Sequence, residues 1–252
     1  MTGHRLAGRA LLCTATAIIA IARPSHAQYA GDGFMFKAPG GTLGIRGGFE
    51  YATANSDLFT FVTNELTVDR SDFSSPTFGA NLAIRLSARN DLVFDFGFSK
   101  VSRRSEFRDW VDQDDQPIEQ TTSLQRMPLT MGFRHYITAR GHAIGRFAWI
   151  PTRRALYLGV GGGMMKYKFH QAGDFIDMST LNVFHDEFVS QAWTPVAHGA
   201  AGLDVGLGTA TILNIEARYT WAKGPMGADF VGFNRIDLSG LSVTAGLSVR
   251  LY

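Results

Sequence analysis

The chain has 252 residues, 45% of them hydrophobic and 18% charged, with a formal net charge of +2 and a single cysteine, Cys13. Charge this close to neutral gives no electrostatic footprint for nucleic acid, and no segment sustains an apolar period of 3.6 over three turns, as an α/β protein would require. The chain has 28 glycines, many of them within alternating segments, where small residues let a narrow barrel curve.

At the N-terminus, Arg5 and Arg9 precede the short apolar run 11–22, and Ser25-His26-Ala27 supplies a small-x-small cleavage site. This pattern predicts a secretory signal peptide over 1–27, cut before Gln28. Arg23 and Pro24 stop the run short of the roughly 20 residues that a transmembrane helix needs. Cys13 lies inside the run and leaves with it, so the exported chain is expected to have no disulfide and no thiolate metal site. Taking Arg5, Arg9 and Arg23 from the 24 Lys and Arg leaves 22 Asp and Glu in excess by one, at net −1.

Residues 28–41 read as a short periplasmic segment and 42–252 as a membrane barrel. Strand 42–53 separates Leu43, Ile45, Phe49 and Tyr51 from Arg46 and Glu50, and strand 77–88 separates Phe78, Leu82, Ile84 and Leu86 from Asn81 and Arg85. A tight turn leads to 92–102, where Leu92, Phe94, Phe96 and Phe98 oppose Asp95 and Gly97. Strand 122–137 sets Met127, Leu129, Met131 and Phe133 against Thr130 and Arg134, with a bulge expected near Pro128. Strand 155–169 is assigned without faces, because Gly161, Gly162 and Gly163 erase the alternation. Strands 196–207, 212–223 and 239–252 direct His198, Asp204, Glu216, Arg218 and Arg250 to the polar side. Apolar rows of about ten residues match tilted membrane-spanning strands, and the fold class is an eight-stranded antiparallel up-and-down transmembrane β-barrel.

Four long connections, 54–76, 103–121, 170–195 and 224–238, are expected on the cell exterior, and the termini and short turns in the periplasm. After Ser56, the residues Leu58, Phe59, Phe61, Val62 and Leu66 fit a short helix with one apolar face. The periplasmic turn 138–154 is long and carries Trp149, Arg146, Arg153 and Arg154, which suggests a small folded excursion at the inner interface. Tyr51, Tyr219 and Trp221 are placed as interface aromatics.

The lumen is expected to hold Arg46, Arg85, Arg134, Arg218 and Arg250 against Glu50, Asp95, Asp204 and Glu216. An eight-stranded interior is only wide enough for side chains, so these charges should interlock as desolvated pairs. A gated conduit is the alternative reading, since ionisable groups at membrane depth often mark pathways. A soluble lipocalin-like barrel would reverse the pattern, with apolar residues inside.

Gly-Phe-Arg-His-Tyr at 132–136, the stretch 157–163 and the terminal Gly-Leu-Ser-Val-Arg-Leu-Tyr make the chain resemble the small outer-membrane barrels of the OmpA and OmpW type. The resemblance implies the outer membrane of a Gram-negative-type bacterium, contact with its lipids and lipopolysaccharide, and insertion by the barrel-assembly machinery. A structural or surface-interaction role is expected, with OmpW-like passage of small or apolar molecules as the alternative. Barrels that modify lipid A prompt a check of His170, Ser179, His185, Asp186 and Ser190, but no spacing among them fixes a nucleophile beside its base. His170, Asp174, Asp177, His185 and Glu187 match no compact metal motif, and neither metal nor cofactor is expected. Aromatic loop residues Trp110, Phe175, Phe184, Trp193, Phe230 and Phe233 leave room for an extracellular ligand.

Overall fold

The computed structural model describes residues 33–177, 180 and 182–252; the signal segment lies outside them. The elements are β1 (Gly41–Ala52), α1 (Asp57–Glu65), a 3₁₀ turn (Arg70–Phe73), β2 (Ser75–Arg85), β3 (Asn90–Val111), β4 (Pro117–Tyr136), β5 (Gly141–Ile144), β6 (Ala148–Pro151), β7 (Arg154–Ile176), β8 (Val183–Gly206), β9 (Thr211–Gly224), a 3₁₀ turn (Ala228–Phe230), β10 (Ile236–Asp237) and β11 (Gly240–Leu251). Strands β1, β2, β3, β4, β7, β8, β9 and β11 pair antiparallel in a ring that β8 and β9 close. The fold is an eight-stranded up-and-down barrel, and the seam between first and last strands is zipped along its full length from Gly41↔Leu251 to Ala52↔Gly240.

Alternation explains which way each strand faces. Outward rows carry Ile45 at 57% exposure, Phe78 at 62%, Leu129 at 57% and Val160 at 67%. Each such side chain forgoes about 1.5–3 kcal/mol in water, which an acyl environment restores. The inward row of β7 runs unbroken through the glycines, with Ala155, Tyr157, Met165, Tyr167 and Phe169 buried and Leu156, Leu158 and Val160 outside. A side chain at the inward Gly202 would collide with the ring and hydroxyl of Tyr157, so the glycine is what lets that tyrosine lie across the lumen.

Three expectations need correction. The connections 103–121 and 170–195 are not loops: β3 with β4, and β7 with β8, continue as paired hairpins to Val111↔Pro117 and Ile176↔Val183. Above the apolar belt, outward positions become polar, as at Lys100, Ser102, Arg104 and Glu106, so the contrast that announces a strand fades while the hydrogen-bond ladder continues. There is no bulge at Pro128, where the register is the same on both sides and only the rows at Gly97 and Phe98 drop out; the shift falls between Glu106 and Val111. Trp193 is not a loop residue but stands outward on β8, beside Lys166 of β7. The turn 138–154 folds as the hairpin β5–β6, clasped to Met35 by paired backbone hydrogen bonds at Trp149 of 2.8 and 2.7 Å.

Candidate functional site

Inside the barrel the side chains form an apolar plug above a charged layer, with a basic mouth at the end that carries the β5–β6 hairpin. The plug is made by the 54–76 connection. Ser56 stands at the N-cap of α1, and Leu58, Phe59, Val62 and Leu66 point into the barrel against Phe73, Phe169 and Phe230, while Phe61 is exposed at 45% and stacks on Phe233 instead. Thr67 exchanges hydrogen bonds with Glu106 of β3, and Asn55 N–H donates to Asp237 at 3.0 Å, which ties the plug to opposite walls. The outer part of the lumen is therefore apolar, and the expectation of charge throughout is corrected.

Asp57 joins α1 to the 224–238 connection by accepting hydrogen bonds from the backbone and side-chain nitrogens of Asn234, both at 2.8 Å. The backbone N–H of Asn234 is the main cause that holds this carboxyl below the usual range. A depressed carboxylate contributes stability that is fully present above its unfolded value and lost as pH falls through its folded value. Acidification below the ordinary carboxylate range should therefore lower the protection of the Asn234 amide relative to its intrinsic exchange rate at each pH, and Asp57→Asn should remove that dependence; an equal acid response in both proteins would refute the tie.

The charged layer centres on Asp95, whose side chain is 3% exposed. It accepts a fork from Arg46, whose Nη2 lies at 2.7 Å, and from Arg218 Nη1 at 2.9 Å. Arg218 also reaches Glu216 at 2.8 Å, and Arg134 lies 3.6 Å from the same carboxylate. Tyr157 donates to Glu216 at 2.8 Å and accepts from Asn214 at 2.8 Å. Asn214 and Tyr136 both donate to Asp204, at 2.7 Å each. Of the nine expected lumen charges, Arg46, Asp95, Arg134, Glu216 and Arg218 thus meet in one network, and Asp204 joins it through Asn214 and Tyr157.

The remaining three stand elsewhere. Glu50 lies 3.2 Å from Arg126, a fully buried arginine below the plug. Arg85 sits over the ring of Trp149 at 5.7 Å, and Arg250 donates to the Gly208 carbonyl at 2.9 Å; neither forms an ion pair among the described residues. Sequence reasoning missed Arg126, Asp91 and Arg140. Arg126 shares its parity with Arg134 on β4 and Asp91 with Asp95 on β3, so alternation could have found both. Arg140, which grips Asp91 at 2.7 and 2.8 Å, follows the end of β4 where no periodicity reaches.

Two cavities within the lumen are small. A cavity of about 20 Å³ lies beside Asp95, His198 and Arg218, and another of about 30 Å³ lies at the basic mouth between Arg85, Trp149 and Arg250. Since one water takes about 10–15 Å³, each of these pockets has room for one or two waters and not for a column.

Tyr51 and Tyr219 flank Leu241 on three adjacent strands, and Trp221 stacks edge-on against Tyr219 at 4.8 Å, so the interface aromatics form a patch on one wall. His170 lies 2.6 Å from Glu187 and His185 2.9 Å from Asp174, as two separate pairs on the outer face of the β7–β8 hairpin, with His170 half-buried and His185 exposed. Ser190 faces inward and bonds to Tyr167 at 3.0 Å, on the opposite face of the hairpin from both histidines, and among the described residues no three His, Cys, Asp or Glu converge as metal ligands. Ser179 lies outside the described residues. Phe175 packs on Phe188 at 4.6 Å and Phe188 on Phe230 at 6.3 Å, so most of the upper aromatics cover one another.

No known family profile and no curated protein sequence matches the chain. Among solved structures, the fold is similar to the Neisserial surface protein A, with a TM-score of 0.46 and 10% identity, covering 87% of this chain and 98% of the other. It is similar to the N-terminal barrel domain of Pseudomonas aeruginosa OprF, at 0.38 and 10%, covering 84% and 98%. Ail, the attachment invasion locus protein of Yersinia pestis, is similar at 0.39 and 13%, covering 84% and 99% in its complex with the heparin analogue sucrose octasulfate.

Proposed function

We propose that the protein is a closed outer-membrane barrel of a Gram-negative-type bacterium whose work is done outside its lumen, as a structural or surface-interaction protein presenting two tall hairpins to the cell exterior. The observation that carries this reading is the double seal: an apolar plug above a layer of interlocked ion pairs, within a wall whose strands all pair with their neighbours. Passage through the wall would need a gap between strands, and passage through the lumen would need both seals to part. The separation of His170 and His185 from Ser190 supports a non-catalytic role.

Planar-bilayer recording of the exported chain tests the proposal. Wild type, Arg46→Ala and Glu216→Ala should all be electrically silent while remaining heat-modifiable on gels, because the plug persists in each. Steady conductance in wild type that changes with either substitution would move the function to transport through the lumen.

A further inference from the structure

The periplasmic end of the barrel carries a cluster of arginines that the closed-barrel role does not use. Arg89, Arg146, Arg153 and Arg154 are exposed, and none of them has an ion-pair partner among the described residues. The carboxylates that approach this end are already engaged: Asp91 is held by Arg140, and Asp204 accepts from Tyr136 and Asn214. A local surplus of unpaired guanidinium groups attracts an anionic surface.

Two further observations identify that surface as lipid. Arg154 occupies the outward row of β7, directly below Leu156, Leu158 and Val160, and pairs with Val205. It therefore stands where the lipid-facing row ends, placed to reach headgroups as a snorkelling side chain does. The β5–β6 hairpin meanwhile turns at Gly145, with φ of 66°, and lifts Ile144 at 54% exposure and Phe147 at 77% on either side of Arg146. Its opposite face is fixed, since Trp149 is only 5% exposed, clasped by Met35 and covered by Arg85. A rigid finger with apolar and cationic groups at its tip matches a phospholipid interface, where apolar side chains enter the acyl boundary and arginines meet phosphate.

We infer that Arg146, Arg153 and Arg154, with Ile144 and Phe147, form a site for anionic phospholipid headgroups in the inner leaflet. This inference rests on the membrane reading above, and the test separates the two. The exported chain is refolded into nanodiscs of phosphatidylcholine with and without phosphatidylglycerol. Retained lipid is then read by native mass spectrometry, and hairpin protection by amide exchange. Wild type should retain phosphatidylglycerol preferentially, and replacing the three arginines by glutamine should reduce that preference by about fivefold per residue. Phe147→Ser should remove protection of the hairpin amides while leaving the barrel heat-modifiable. Equal lipid ratios in wild type and the triple variant would overturn the site. Hairpin protection by soluble peptidoglycan fragments instead of phosphatidylglycerol would also overturn it, placing the partner in the periplasm. Failure of the chain to enter nanodiscs at all would count against the membrane reading instead.

Discussion

Asp95→Asn should destabilise the barrel by about 3–5 kcal/mol, the usual cost of breaking a buried ion pair by removing one partner. Asp95 accepts from two arginines on different strands, Arg46 on β1 and Arg218 on β9, so its loss leaves two desolvated cations without their shared carboxylate. Arg218 keeps Glu216 at 2.8 Å, whereas Arg46 has no second ion pair among the described residues. Arg46→Met in the Asp95→Asn background should therefore recover part of the loss, a non-additivity expected of residues within one network. The exposed pair of Arg104 and Glu119 is the control, and Arg104→Ala should leave stability unchanged within error. The measurement is the urea midpoint of the heat-modifiable band in detergent micelles. An Asp95→Asn midpoint equal to wild type would show that the charged layer carries no net stability.

The barrel was legible because its lipid-facing rows obey a strict period of two, as in Leu92, Phe94, Phe96 and Phe98, and lumen charges occupy the other parity. Legibility ended where the membrane ends. Between Lys100 and Val111 the outward face of β3 turns polar while the inward face mixes Val101 and Phe107 with Arg103, Ser105 and Asp109, so the alternation no longer separates a hairpin from a loop; only the partner strand β4 decides it. Pairings across the lumen were equally hidden. Parity put Asp95 and Arg218 inside, but their meeting depends on how eight strands stagger around the ring, a property of register rather than of any one strand. Arg250 shows the converse, an inward charge whose partner is a backbone carbonyl with no sequence signature. The helix after Ser56 was readable from its spacing, yet its destination within the barrel mouth was not, because an apolar helical face does not name the surface that buries it.

Phe59→Ala should cost the plug about 3–5 kcal/mol and cost the barrel wall almost nothing. Phe59 is fully buried and packs edge-on against Phe73 of the 3₁₀ turn at 4.6 Å and Phe169 of β7 at 6.1 Å, so truncation opens a cavity between the plug and the barrel wall. The helix has nine residues, too few to persist without its tertiary anchors, and the lost packing should appear as local opening of α1. Amide exchange at Val62 and Leu66 should accelerate, exchange of the paired β1 and β11 amides should not, and the heat-modifiable band should keep its urea midpoint. Planar bilayers should stay silent, because the layer of Asp95, Arg218 and Glu216 still fills the lumen beneath the opened plug. Conductance from this variant alone would mean that the plug is the sole gate and the ion pairs merely line a path. A midpoint shifted together with the exchange rates would instead make α1 part of the folding unit of the barrel.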